Sequence, residues 1–213
     1  MVDEAGHLLL TPVRVDTPIG RPPRTIVGTL TRLVRSLGAY DRVSVGFPGV
    51  VRDGRVLSAP NLGNDGWTGF DLATALTRAV GKPVRIANDA DVQGLAVIAG
   101  TGVEMIVTLG TGVGTGLYLD GRLGPHLELA HLPFRKGETY DTQLGNAARQ
   151  RIGNRKWNKR VKKAIKILRA LTSFDHLYLG GGNARKIDFE PERDVTIVAN
   201  QAGIEGGVAL WRS

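Results

Sequence analysis

The 213 residues carry a formal charge of +8 and no cysteine, and 42% of them are hydrophobic. That length and composition suit an ordinary globular chain of one large domain or two modest lobes, and they exclude disulfides and thiolate metal sites. No run is apolar enough to span a bilayer and no basic-then-apolar leader opens the chain, so a cytoplasmic location without membrane contact is the default expectation.

Residues 3–6 read as a turn, and the apolar run 8–10 as the second arm of a hairpin whose first arm is missing. Residues 11–23 are rich in proline and polar side chains, hence loop. From 25 to 37, Ile26, Leu30, Leu33, Val34 and Leu37 recur at helical spacing, and Gly38 ends the run. The β-rich stretch 42–47 closes at Pro48-Gly49, and 50–57 folds as a hairpin about Asp53-Gly54. A loop over 58–67 holds Asn61 and Asn64. Asp71 is placed to cap a helix over 72–80. The strand 83–87 then runs straight into Asn88-Asp89 and a helix over 92–99. Strands alternating with helices predict an α/β architecture with a mixed sheet.

Asn88 and Asp89 stand where a buried strand ends and a helix begins, the place at which α/β sheets bind ligands. A carboxylate there suits a general base, with Asn88 hydrogen-bonding a hydroxyl-rich substrate. Asp89 suits the ordinary job of a helix cap equally well. Further on, 106–121 carries glycine at 110, 112, 114 and 116 between two β-rich runs, before an Asp120-Gly121 turn. Alternating glycines expose backbone N–H groups, and Thr111 and Thr115 add hydroxyl donors. A phosphate-holding loop over 110–116 is therefore expected, ahead of a merely softened hairpin. It is not a Walker loop, which ends Gly-Lys-Ser/Thr and opens a helix. Glu128 and His131, three apart on a turn, can face one pocket with Asp89. His131 lacks the cysteines or histidine cluster that a zinc site needs.

Ten basic residues and no acidic one lie between Arg149 and Arg169. Within them 156–171 is helical by periodicity, with Trp157, Val161, Ala164, Ile165, Leu168 and Leu171 on one stripe. The remaining basic faces read either as an anion-binding surface or as the solvated side of a core-packed helix. The strand 176–179 opens into Gly180-Gly181-Gly182-Asn183, a turn that brings backbone close to a phosphate ahead of a helix from 184. A strand over 194–199 and a helix over 202–211 complete the chain.

Taken in order, Gly46-Phe47-Pro48-Gly49, Ala59-Pro60-Asn61-Leu62, Ile86-Ala87-Asn88-Asp89-Ala90, the run 109–116, Glu128-Leu129-Ala130-His131 and 179–182 resemble the ROK family of sugar kinases, most nearly its polyphosphate or ATP glucokinase branch. The resemblance implies an α/β, actin-like (ribonuclease-H-like) fold of two lobes about a cleft, here 1–102 and 103–213. It implies phosphoryl transfer from polyphosphate or ATP to the 6-hydroxyl of glucose or a related hexose. Asp89 is then the general base, while Asn61, Asn88, Glu128 and His131 hold sugar hydroxyls and Asp141 falls near a second sugar-binding carboxylate. Gly110, Thr111, Gly112, Gly114 and Thr115 hold donor phosphates, and Gly181 and Gly182 approach the nucleotide or its polyphosphate substitute. Mg²⁺ neutralises charge on the transferring group. No zinc is implied, since the cysteine-rich motif of the wider family is absent. A homodimer is carried over as an expectation.

Two further departures bear on activity. Alanine stands at 130 where the family has glycine, and the opening strand with its Asp-x-Gly-Gly-Thr turn is absent from the 213 residues. The chain is thus expected to be N-terminally truncated, with a gap beside a neighbouring strand and weak or no kinase activity. A non-catalytic sugar-binding remnant of the same fold is the alternative. Nucleic-acid binding is disfavoured, because Trp157 is the single aromatic among the basic residues.

Overall fold

A computed structural model of the chain describes residues 1–63, 65–198 and 202–212. Helix α1 (Pro23–Ser36) opens on a proline, whose missing N–H has no helical partner to lose at that position. Strand β1 (Val43–Phe47) leads through Pro48-Gly49 into the hairpin β2 (Val50–Arg52) and β3 (Arg55–Ser58), whose turn residues Asp53 and Gly54 both take positive φ. That backbone twist matches the twist of the paired strands. Helix α2 (Leu72–Val80) is capped as expected, Asp71 accepting the Thr74 N–H at 3.0 Å. Strand β4 (Val84–Asn88) lies parallel to β1, from Val43 opposite Val84 to Phe47 opposite Asn88, and α3 (Asp89–Leu95) follows with no intervening loop. Phe47 and Phe70 pack on the buried ring of Trp67, with centroids 5.1 and 5.9 Å away.

The second half holds β5 (Val103–Leu109), β6 (Val113–Leu119), β7 (Arg122–Leu123), a small hairpin of β8 (Pro133–Arg135) and β9 (Glu138–Thr139), then α4 (Tyr140–Leu144), α5 (Asn146–Ile152) and α6 (Asn154–Thr172). Strands β10 (His176–Gly180) and β11 (Val195–Ile197) and helix α7 (Ala202–Ala209) complete it. The sheet runs β11-β10-β5-β6-β7, the first three parallel and β6 antiparallel to both neighbours, so it is mixed as the alternation predicts. Trp157, Val161, Ala164, Ile165 and Leu168 of α6 enter a core with Met105, Leu109 and Leu177 of the sheet. Leu171 of the expected stripe is instead exposed, in the last turn of the helix. A further cluster of Ala87, Val92, Ile106, Tyr118 and Leu210 joins α3 to the sheet, and α7 returns to lie against α3 and β1.

Several boundaries differ from expectation for identifiable reasons. The helix expected over 92–99 begins at Asp89, because Asn88 and not Asp89 supplies the cap: its Oδ1 accepts the Ala90 N–H at 2.8 Å. It stops at Leu95, and the buried Glu104 carboxylate gathers the N–H groups of Ala99, Gly100 and Thr101 at 2.7, 2.6 and 3.2 Å, holding a turn there. Near the N-terminus, Val2 bridges Leu8, so the expected lone arm is a single bridge, and Leu8, Leu9 and Leu10 are exposed. After Asn183 a single 3-10 turn, Ala184–Lys186, replaces the expected helix. The short elements α4, α5, β8 and β9 carry no clear periodicity and were not expected. Asn64 and Ala199 lie outside the described residues. Strand β1 pairs with β4 alone among the described strands, and beside it lies a 620 Å³ cavity lined in part by Met1, Val2, Ser44, Gly46, Gly207 and Trp211.

Candidate functional site at the strand ends

The parallel strands β1 and β4 end side by side at Phe47 and Asn88, and α3 starts there. Asn88 is buried and both ends of its amide are engaged: Oδ1 caps α3, and Nδ2 donates to the carbonyls of Gly49 at 3.1 Å and Phe47 at 3.4 Å. It thereby ties the Pro48-Gly49 turn to the helix start. Asp89 is the first residue of the helix, and its carboxylate accepts the Ala90 N–H at 2.9 Å. The side chain opens to solvent yet stands in a crowded wall. Desolvation raises its pKa and the neighbouring Asp91 adds to this, against the lowering effect of backbone N–H groups and His126. A carboxylate held above its usual range at an open helix N-terminus is equipped to accept a proton.

The glycine-rich stretch divides into two parts. Residues 110–112 alone form the loop, since Leu109 pairs with Val113 across the hairpin. Gly114, Thr115 and Gly116 belong to β6, which corrects the longer loop expected over 110–116. Their alternation has a packing cause. A Cβ on Gly114 would stand 2.8 Å from Cβ of Ala90, and one on Gly116 would stand 3.1 Å from Oδ1 of Asp91 and 2.5 Å from the Tyr118 hydroxyl. The bare face of β6 thus lets α3 press against the sheet, with Ala90, the residue after Asp89, against the strand that leaves the loop. Thr115 is buried and its hydroxyl donates to the Leu127 carbonyl, so that donor is spent inside the protein.

The loop itself is held from below by its carbonyls. Gly110 O accepts the Asn146 N–H and the Asn183 amide, each at 2.9 Å, and Asp141 Oδ1 accepts the Val113 N–H at 2.8 Å. Among the described residues the N–H groups of Thr111 and Gly112 have no partner, which leaves two amides and an exposed threonine hydroxyl for an anion. Asp141 is thereby a tether of the loop. Gly181 takes φ +84° and brings Leu109 within 2.5 Å of where a Cβ would be, an approach open to glycine alone. Gly182 is exposed beside it.

Glu128 enters from the strand-end segment that Thr115 anchors, with its side chain 35% exposed. Behind it stands His126, which the sequence reading did not select. His126 Nδ1 contacts Asp91 Oδ2 at 2.9 Å and Nε2 lies 3.6 Å from Glu128 Oε2. Burial disfavours the imidazolium, but the two carboxylates together outweigh it and push the His126 pKa up to about 9. The contact with His126, more than the opposing desolvation, holds Glu128 below its ordinary value. Burial raises Asp91, against the hydrogen bond with His126. The only sequence signal for this group is the invisible one of a histidine two residues before Glu128. His131 is exposed at the end of the Leu129–His131 turn and Asn61 is exposed on the Pro60–Leu62 turn. Among the described residues no hydrogen bond joins either to Asp89, Asn88 or Glu128. No group of three or more His, Cys, Asp or Glu among the described residues could cage a metal.

The sequence profile of the ROK family matches residues 1–139. The chain belongs to the ROK family. It is 28% identical over 194 residues to the polyphosphate glucokinase of Mycobacterium leprae, a match that takes in 87% of this chain and 59% of that protein. The crystal structure of an inorganic polyphosphate/ATP-glucomannokinase from Arthrobacter sp. strain KM superposes with a TM-score of 0.83 at 30% identity, over 97% of this chain and 90% of that one. A ROK family glucokinase from Streptomyces griseus, solved with glucose and AMPPNP, shares the fold at a TM-score of 0.77 and 20% identity, over 97% and 93% of the two chains. This ROK protein therefore has the α/β, actin-like kinase fold of its family. No helix among its described residues is long and apolar enough to cross a membrane.

Proposed function

We propose that the cleft binds a hexose, glucose or a close relative, and that Asp89 takes the proton of its 6-hydroxyl as a phosphoryl group arrives from ATP or polyphosphate. The observation that carries this reading is the raised, solvent-open carboxylate of Asp89 at the start of α3, packed by way of Ala90 and Gly114 against the strand that leaves the anion-ready loop 110–112. In the step, the proton passes from O6 to an Asp89 oxygen, the O6–P bond forms, and the P–O bond to ADP or to the shortened polyphosphate breaks. The protein supplies positioning and charge, which is most of what phosphoryl transfer asks of it. The similarity to a polyphosphate glucokinase and to a polyphosphate/ATP-glucomannokinase supports both the sugar class and the pair of donors.

On this reading Glu128 and His131 accept and donate to sugar hydroxyls, and Asn61 and Asn88 border the same subsite. The amides of Thr111 and Gly112 face donor phosphate, with Gly181 and Gly182 alongside. Mg²⁺ comes with the donor phosphates, the way this ion usually binds. The fold is read as ribonuclease-H-like, with lobes 1–102 and 103–213 about the cleft, and a homodimer is the expected assembly. The exposed lysines of α6 suit a long polyanionic donor.

A coupled glucose-6-phosphate assay tests the reading, with ATP or polyphosphate and Mg²⁺ offered to this chain and to a form extended upstream by a strand bearing Asp-x-Gly-Gly-Thr, which could pair beside β1. Product from either form, lost in Asp89→Asn, supports it. The alternative is a sugar-binding protein without turnover. It predicts glucose binding that survives Asp89→Asn and no product with any donor.

A further inference from the structure

The group Asp91, His126 and Glu128 has no part in the reading above beyond Glu128 itself. Asp91 lies on α3, two residues after the base, and is 2% exposed; among the described residues its Oδ1 has no hydrogen-bond partner, while Oδ2 meets His126 Nδ1 at 2.9 Å. The His126 side chain is 9% exposed, and its other nitrogen points at Glu128, which is 35% exposed. A file of carboxylate, imidazole and carboxylate therefore runs from the closed interior of the α3–β6 contact out to a solvent-accessible carboxylate. The Nε2 separation of 3.6 Å is longer than a hydrogen bond, so the charges meet without a fixed bond at that end.

We propose that His126 is a positioning residue of the hexose subsite: clamped by Asp91, it presents a cation behind Glu128 that holds this carboxylate aimed at a sugar hydroxyl. The inference rests on the hexose-binding reading of the cleft. It adds a residue pair, Asp91 and His126, that touches no substrate and acts through Glu128. Two buried or half-buried carboxylates so close together repel each other unless a cation lies between them, and Asp89 feels the same field. The groups around His126 are Asp89 and Asp91 of α3, the Tyr118 hydroxyl of β6, which donates to the Asp91 carbonyl at 2.7 Å, and Glu128 and His131 of its own segment. Of these, His126 is the cation that lies between two carboxylates, and its proton is held to about pH 9.

The test is calorimetric titration with glucose from about pH 6 to about pH 10, for the unaltered chain, His126→Gln, Asp91→Asn and the double variant, with the ring nitrogens of His126 followed by NMR over the same range. Glucose affinity of the unaltered chain should fall as His126 loses its proton, with the two midpoints coinciding. His126→Gln should bind about tenfold or more weakly at neutral pH and show no such fall. Asp91→Asn should weaken binding comparably, and the double variant little further, because the pair acts as a unit. Equal affinity and an equal pH profile in His126→Gln would overturn the proposal and leave the hexose reading standing. If no protein binds glucose at any pH, the hexose reading fails and this inference with it. Should His126→Gln not fold, the coincidence of midpoints in the unaltered chain decides the matter, and an affinity that ignores the His126 titration overturns the proposal.

Discussion

Replacing His126 by glutamine should remove a specific piece of the pH dependence of stability. The imidazole titrates at about 9 in the folded chain against 6.5 when free of the fold. A raised pKa means that the folded state binds the proton more tightly, so the stabilisation is complete below pH 6.5 and is lost as pH rises through 9. The shift corresponds to about 3 kcal/mol, an order-of-magnitude figure for a side chain this enclosed. Urea unfolding of both proteins at intervals from about pH 6 to about pH 10 reads it directly. The stability of the unaltered chain should decline relative to His126→Gln across that window, by roughly the stated amount. Parallel profiles for the two proteins would refute the reasoning, since the imidazole would then carry no differential charge.

Three further outcomes are expected. Gly94→Ala would set a Cβ 2.0 Å from the Tyr118 hydroxyl and force α3 off β6, so thermal unfolding should show a loss of about 1–3 kcal/mol, against near-neutrality if the contact can relax. Asp71→Ala removes the cap of α2 and should reduce stability by about 1 kcal/mol with no effect on glucose affinity. Neutralising the exposed Lys159, Lys163 and Lys166 of α6 should raise the KM for polyphosphate and leave that for ATP nearly unchanged, as measured with whichever form turns over; equal effects on both donors would count against a polyanion surface there.

Elements with strong local signals were legible in the sequence. The Asp53-Gly54 hairpin, the Asp71 cap with its helix and the apolar stripe of α6 each rest on residues close together in the chain. The glycine stretch was harder, because alternating glycine has two physical causes that look alike in sequence. At 110 and 112 it frees a loop; at 114 and 116 it clears a strand face for α3, and only the partner helix reveals which. Asn88 and Asp89 raised the same difficulty, with two residues able to cap one helix, and the structure gives that role to Asn88. His126 escaped notice since its meaning lies in Asp91, 35 residues earlier in the chain. Asp141, which the family resemblance places near a sugar-binding carboxylate, also reaches across with Oδ1 to the Val113 N–H and fastens the loop, a contact that no spacing in the sequence foretells.

The most direct measurement is the glucose 6-phosphate formed by the protein in molar excess over glucose, with ATP or polyphosphate and Mg²⁺, compared between the unaltered chain and Asp89→Asn. The account predicts product phosphorylated at the 6-position from the unaltered chain or from its upstream-extended form, reduced by about 10²–10⁴-fold when Asp89→Asn is introduced into whichever form reacts, with glucose binding retained. Equal product from the two proteins, phosphorylation at another hydroxyl, or glucose binding without product from the unaltered chain or from its upstream-extended form would contradict it.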